Sequence, residues 1–146
     1  NLIIMGEEIL IEVTKKELYT LRQFLKILRE ERDAIISFSL EGIIRENNRK
    51  EEVLRRLEYL EKEKEAFLEN VPDRQALLER EPFKPLHREI HQVMEEVKVA
   101  LEKNMKLLSF SMDHVKSSID NIVGFLNKTT YGGKREKISL LLSKEI

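Results

Sequence analysis

Two histidines stand four residues apart in His87-Arg88-Glu89-Ile90-His91, the spacing at which one helix face offers two imidazoles to a zinc ion. The chemistry would be metal-assisted hydrolysis, which needs a glutamate directly after the first histidine as general base. Arg88 holds that position, Glu89 lies off the imidazole face and no third ligand can be identified. Two surface or half-buried histidines are the preferred reading, and His114 has no role. Carboxylates such as Glu61, Glu63, Glu65, Glu95 and Glu96 lie on polar faces among lysines, where pairs four apart each add a few tenths of a kcal/mol. A general acid–base pair would need burial to shift its pKa, and the pattern gives no sign of burial. No glycine loop precedes a helix in the phosphate-binding manner, and no Ser-His-Asp set emerges. No catalytic residue, metal or cofactor is assigned, and the chain is expected not to be an enzyme.

Tyr131 is a different kind of candidate. It sits in Thr130-Tyr131-Gly132-Gly133-Lys134, outside every apolar stripe. Either it folds back on the end of a bundle, or it is an exposed anchor of the kind that dominates a small interface.

The element before it is a long amphipathic helix. Apolar residues step by three or four positions through Leu86, Ile90, Val93, Val97, Leu101, Met105, Leu108, Met112, Val115, Ile119, Ile122 and Leu126, so one stripe follows one face. At ~1.5 Å per residue this helix is roughly 60 Å long and needs long partners. Met94, Met105 and Met112 near the stripe read either as ordinary core or as an adaptable surface for a partner helix.

Two more helices precede it. The first carries Leu10, Leu18, Leu21, Phe24, Leu25, Leu28, Ile35 and Ile36; Thr14-Lys15-Lys16-Glu17 fits a capping box, yet Leu10 keeps phase and favours a start near Glu7. A turn is expected around Ser37-Phe38-Ser39 and Gly42, with Ser39 as N-cap. The second helix has an almost wholly polar middle, Arg45 to Glu52, expected to project from the bundle or to touch it through aliphatic stems alone. Val71-Pro72-Asp73 ends it, Arg74 to Arg80 can form a short helical turn, and Pro85 suits the first position of the third helix. The expectation is all-α: an elongated antiparallel bundle of about three long helices (about 7–37, 40–70 and 85–127) in one domain, 1–127, with a flexible tail over 128–146. Within that tail Ile138-Ser139-Leu140-Leu141-Leu142 is apolar enough to dock on the bundle or to await a partner.

Composition narrows the class. The chain is 36% charged with 5 Gly and 3 Pro, as in long helices. Its 26 basic and 27 acidic residues are interspersed, which argues against the clustered cationic surface that nucleic acid requires. It has no cysteine, no apolar run of the ~20 residues that span a bilayer, and no secretory pattern in Asn1-Leu2-Ile3-Ile4, so a cytoplasmic location is expected.

Leu25, Leu28, Glu31, Arg32, Ala34 and Ile35 stand late in the first helix, and Lys50, Val53, Leu54, Leu57, Tyr59, Leu60 and Lys64 in the second. Together with the long third helix and Thr130-Tyr131-Gly132, these residues resemble the FlgN-type flagellar export chaperones of bacterial type III secretion; Lys134-Arg135-Glu136 replaces a glycine usual further into the tail. The resemblance implies a chaperone without ATPase activity that binds C-terminal helical segments of the hook–filament junction proteins FlgK and FlgL. It implies delivery to the export gate through the cytoplasmic domain of FlhA, with Tyr131 as gate contact and Gly132 giving it reach. The client site is placed on Leu108, Met112, Val115, Ile119, Ile122 and Leu126. The alternative is a coiled-coil scaffold or adaptor with no export role, whose helices pair with copies of themselves, as a homo-oligomer, or with a structural partner.

Overall fold

The computed structural model describes the backbone of residues 2–129 and the side chains of residues 6–128. Four helices follow in chain order: α1 (Leu2–Ile36), α2 (Leu40–Leu68), α3 (Arg74–Leu78) and α4 (Phe83–Thr129). No strand occurs among the described residues, in keeping with the all-α expectation. The chain divides into two units, Asn1–Met105 and Lys106–Ile146.

In the first unit α1 and α2 form an antiparallel hairpin, fixed by Glu17 with Lys64 at one level and Glu31 with Lys50 at another. The first part of α4 runs alongside α1 in the same direction, with Arg22 bonded to Glu89 and Glu31 to Asn104. Leu18, Leu21, Phe24, Leu25 and Leu28 of α1 meet Ile90, Val93 and Val97 of α4, with Val53 and Leu57 of α2 packed against them. Their spacing of three and four residues keeps each set on one helical face. A second cluster, Leu10, Leu68, Leu77 and Phe83, closes the other end, where α3 seats one leucine between α1 and α2.

The helix ends explain the turns. Thr14 lies within α1, fully buried, and its hydroxyl donates to the Leu10 carbonyl at 2.7 Å, so the capping-box reading gives way to the earlier start. After Ile36 the amide of Ser39 reaches the Ala34 carbonyl (2.9 Å) and that of Phe38 the Ile35 carbonyl (3.1 Å), the paired bonds of a Schellman stop. Phe38 takes the left-handed position at φ 54°, where glycine is the usual occupant, although its ring is 61% exposed. Ser39 caps α2 by accepting from the Gly42 amide at 3.1 Å. Gly42 is inside α2 rather than in the turn, and a Cβ there would stand 2.9 Å from the Ala34 Cβ. Pro85 occupies the third rather than the first position of α4, still within the opening turn whose amides have no helical acceptor.

The polar middle of α2 neither projects nor relies on its stems. Glu46 is 1% exposed, held by Arg49 at 2.8 Å and Arg45 at 3.1 Å; Arg49 also pairs with Glu30 of α1. Lys50 bonds Glu31, itself buried, and Asn104 of α4 donates to Glu31 at 3.0 Å and to the Leu28 carbonyl at 2.8 Å. One carboxylate therefore ties three helices together. Glu31→Ala would strand Lys50 and leave Asn104 short of an acceptor, costing about 3 kcal/mol in urea unfolding. Arg22→Ala, which breaks an exposed pair, is expected to cost less than about 1 kcal/mol. Similar losses for the two variants would contradict the ranking.

Candidate functional site

The apolar stripe of α4 changes its surroundings along the helix. Ile90, Val93 and Val97 are buried, while Leu86 and Leu101 are half-buried. At the next turn the inward position belongs to Asn104, 3% exposed, and Met105 is 69% exposed. The reading of Met105 as part of the stripe is therefore corrected by the polar residue beside it, drawn inward by its bonds to Leu28 and Glu31. Met94 and Met112 are exposed as well, so all three methionines of α4 lie outside the core.

The second unit contains the remaining part of α4, and every expected client-site residue is on it. Met112, Val115 and Ile122 are exposed; Leu108, Ile119 and Leu126 are half-buried. Their spacing alternates four, three, four, three and four. At about 100° per residue all six fall within an arc of roughly 80°. That is the narrow seam of a coiled coil, which receives a partner helix knobs-into-holes, rather than the broad face that covers a globular core. Tyr131 and Gly132, the expected gate contacts, lie outside the described residues.

The titratable groups of the first unit gather elsewhere. Glu17 and Lys64 stand 3.5 Å apart, and half-buried His87 faces the same ammonium. Burial raises the Glu17 carboxyl above the ordinary carboxylate range, opposed by the Lys64 charge. Burial first, and Lys64 second, push the His87 imidazole below its usual 6.5, and its Nε2 is buried without a hydrogen-bond partner. His91 is exposed, and among the described residues no group of three or more His, Asp or Glu could hold a metal ion. Near the start of α1 an open cavity of about 1060 Å³ is lined by Phe67, Val71, Pro72, Ala76 and Leu77. Arg80 and Glu7 on its wall pair at 2.9 Å.

Sequence reasoning missed the buried carboxylates and Asn104, though a signal exists. Glu31 falls in phase between Leu28 and Ile35, Lys64 between Leu60 and Leu68, and Asn104 between Leu101 and Leu108. A polar residue in apolar register is one that needs a partner across the interface. Among the described helices none is long and apolar enough to cross a membrane.

The fold is an all-α bundle whose longest helix offers an apolar seam of coiled-coil spacing. Residues 5–137, most of the chain, match the family model described as FlgN protein, and the chain belongs to the FlgN family. Membership gives it the role of a flagellar export chaperone. No curated protein and no solved structure matches it significantly.

The His87 environment has a pH signature. A group whose folded pKa is depressed to below 6.5 by burial is protonated first in the unfolded chain, so acidification from about pH 7 to about pH 5 favours unfolding through this group. Glu17, raised, works oppositely in its own window: the folded state takes up its proton first as pH falls. The acid-side decline of melting temperature should therefore be shallower in His87→Gln than in the parent. Parallel pH profiles would show that His87 does not contribute to that decline.

Proposed function

We propose that the chain is a cytoplasmic, non-enzymatic chaperone for the hook–filament junction proteins FlgK and FlgL. It binds their C-terminal helical segments on Leu108, Met112, Val115, Ile119, Ile122 and Leu126 and delivers them to the export gate through FlhA. The observation that carries the reading is the coiled-coil seam on the second part of α4, read together with family membership. An amphipathic client segment exposes an apolar stripe that promotes premature assembly, and docking it helix-in-groove covers that stripe. Ordering the client on binding costs several kcal/mol, which tempers affinity and eases release.

The other half of the proposal divides the labour within the chain. Tyr131 contacts the FlhA cytoplasmic domain and Gly132 gives the ring reach, so client and gate are engaged by separate residues.

Two experiments test these assignments. Met112→Glu or Ile119→Lys should weaken client binding about tenfold or more, because each puts a charge into the seam, with helicity by circular dichroism unchanged. Parental affinity in a folded variant would remove this face from the site. Tyr131→Ala should abolish binding to the FlhA domain while client affinity stays within about threefold, a change of less than ~1 kcal/mol. Equal loss of both on titration would contradict separate roles.

A further inference from the structure

The first unit has an open side. α2 and the first part of α4 run antiparallel, each packed on α1, and a groove of about 400 Å³ lies between them. Leu21 and Phe24 of α1 form its floor, Leu54 and Leu57 of α2 one wall, and Met94, Lys98 and Leu101 of α4 the other. Leu54, Met94 and Lys98 are exposed, as is Met105 one turn beyond Leu101. Asn47, Glu51, Leu54 and Glu58 step by four, three and four along α2, and Met94, Lys98, Leu101 and Met105 do the same along α4. At about 100° per residue, each set falls within an arc of about 60°.

The two walls differ in charge. Among the described residues neither Lys98 nor Glu58 has an ion pair, and Glu51 reaches Arg55 at 4.0 Å with both side chains exposed. Existing contacts fix the levels, since His87 faces Lys64 while Asn104 and Lys50 share Glu31. Interpolating between them sets Lys98 opposite Leu54, with Glu51 and Glu58 about 5 Å to either side along the helix.

We propose that a second copy of the chain docks in this groove, related by a two-fold axis parallel to the helices. That operator keeps every residue at its own level and lays α2 of each copy over α4 of the other. Leu54 then seats between Met94 and Leu101 of the other copy, and Lys98 comes between the other copy's Glu51 and Glu58. Each contact occurs twice. A two-fold axis across the helices would set each wall against itself and bring Lys98 to neither carboxylate. The thioethers of Met94 and Met105 adapt to an opposing helix, a use for two methionines that the core leaves out.

Size sets the strength. From His87 to Met105 α4 runs about 27 Å beside α2, and two helices are about 20 Å wide, so each copy covers about 500 Å². That is the lower end for a specific interface, and Asn47, Glu51 and Glu58 keep the α2 wall largely polar. A reversible dimer with a dissociation constant in the micromolar range follows.

Sedimentation equilibrium of the full chain should show that monomer–dimer exchange. Lys98→Glu brings like charges together, and so does the double variant Glu51→Lys with Glu58→Lys. Each alone should self-associate at least about tenfold more weakly than the parent. An equimolar mixture of the two variants restores opposite charges at both contacts, so its dimer should return to within about threefold of the parent's. Circular dichroism and the melting temperature establish that each variant folds. A parent that stays monomeric to about 1 mM would overturn the proposal. So would folded variants that dimerise like the parent, or a mixture that stays dissociated. No client fragment enters these measurements, so their outcome stands apart from the client reading.

Discussion

The arrangement of the first unit depends on the carboxylate of Glu31. It lies in the core of three helices, bonded to Lys50 of α2 and Asn104 of α4, with the Leu28 carbonyl taking the second amide hydrogen of Asn104. Apolar packing alone would hold these helices together with little preference for register, because leucines repeat every turn. A slip of one turn in any of them would leave a charge or an amide buried without a partner, at a cost of several kcal/mol. Glu46 with its two arginines and Glu17 with Lys64 repeat the same device along the α1–α2 hairpin.

This polar node coincides with a change in the pattern of α4. Up to Val97 the apolar positions face a buried core, Leu101 is half-buried, and Asn104 rather than Met105 takes the next inward position. Beyond Met105 the steps alternate three and four without interruption to Leu126, and the residues there are half-buried or exposed. One helix thus carries its apolar stripe through two surroundings, buried in the core of the first unit and half-buried or exposed in the second. On the proposed function, the second stretch is the part that covers a client's helical segment.

Much of the fold was legible because its signals are local. The three- and four-residue steps in Leu18, Leu21 and Leu25 and in Ile90, Val93 and Val97 fixed the helices and their inner faces. Ser39 as N-cap and the break at Pro72 followed from side-chain hydrogen bonding and from proline geometry. The polar run of α2 was misread because burial of Glu46 depends on an opposing helix whose register no local pattern reveals. Met105 was misread because the apolar spacing stays regular there while the inward position passes to Asn104. Several residues that carried the family resemblance, Glu31, Lys50 and Lys64, are interhelical clamps, so the resemblance was read partly from residues that set the fold. The candidate site was legible as spacing on α4, whereas Tyr131 and Gly132 lie outside the described residues.

The central claim is that the seam from Leu108 to Leu126 receives a helical export client. Its most direct test is isothermal titration of the full chain against C-terminal fragments of FlgK and FlgL from the same bacterium. The account predicts saturable one-to-one binding of about micromolar strength or tighter, with a negative heat-capacity change from burial of the apolar seam. A folded, helical protein that gives no heat and does not co-elute with either fragment would contradict it.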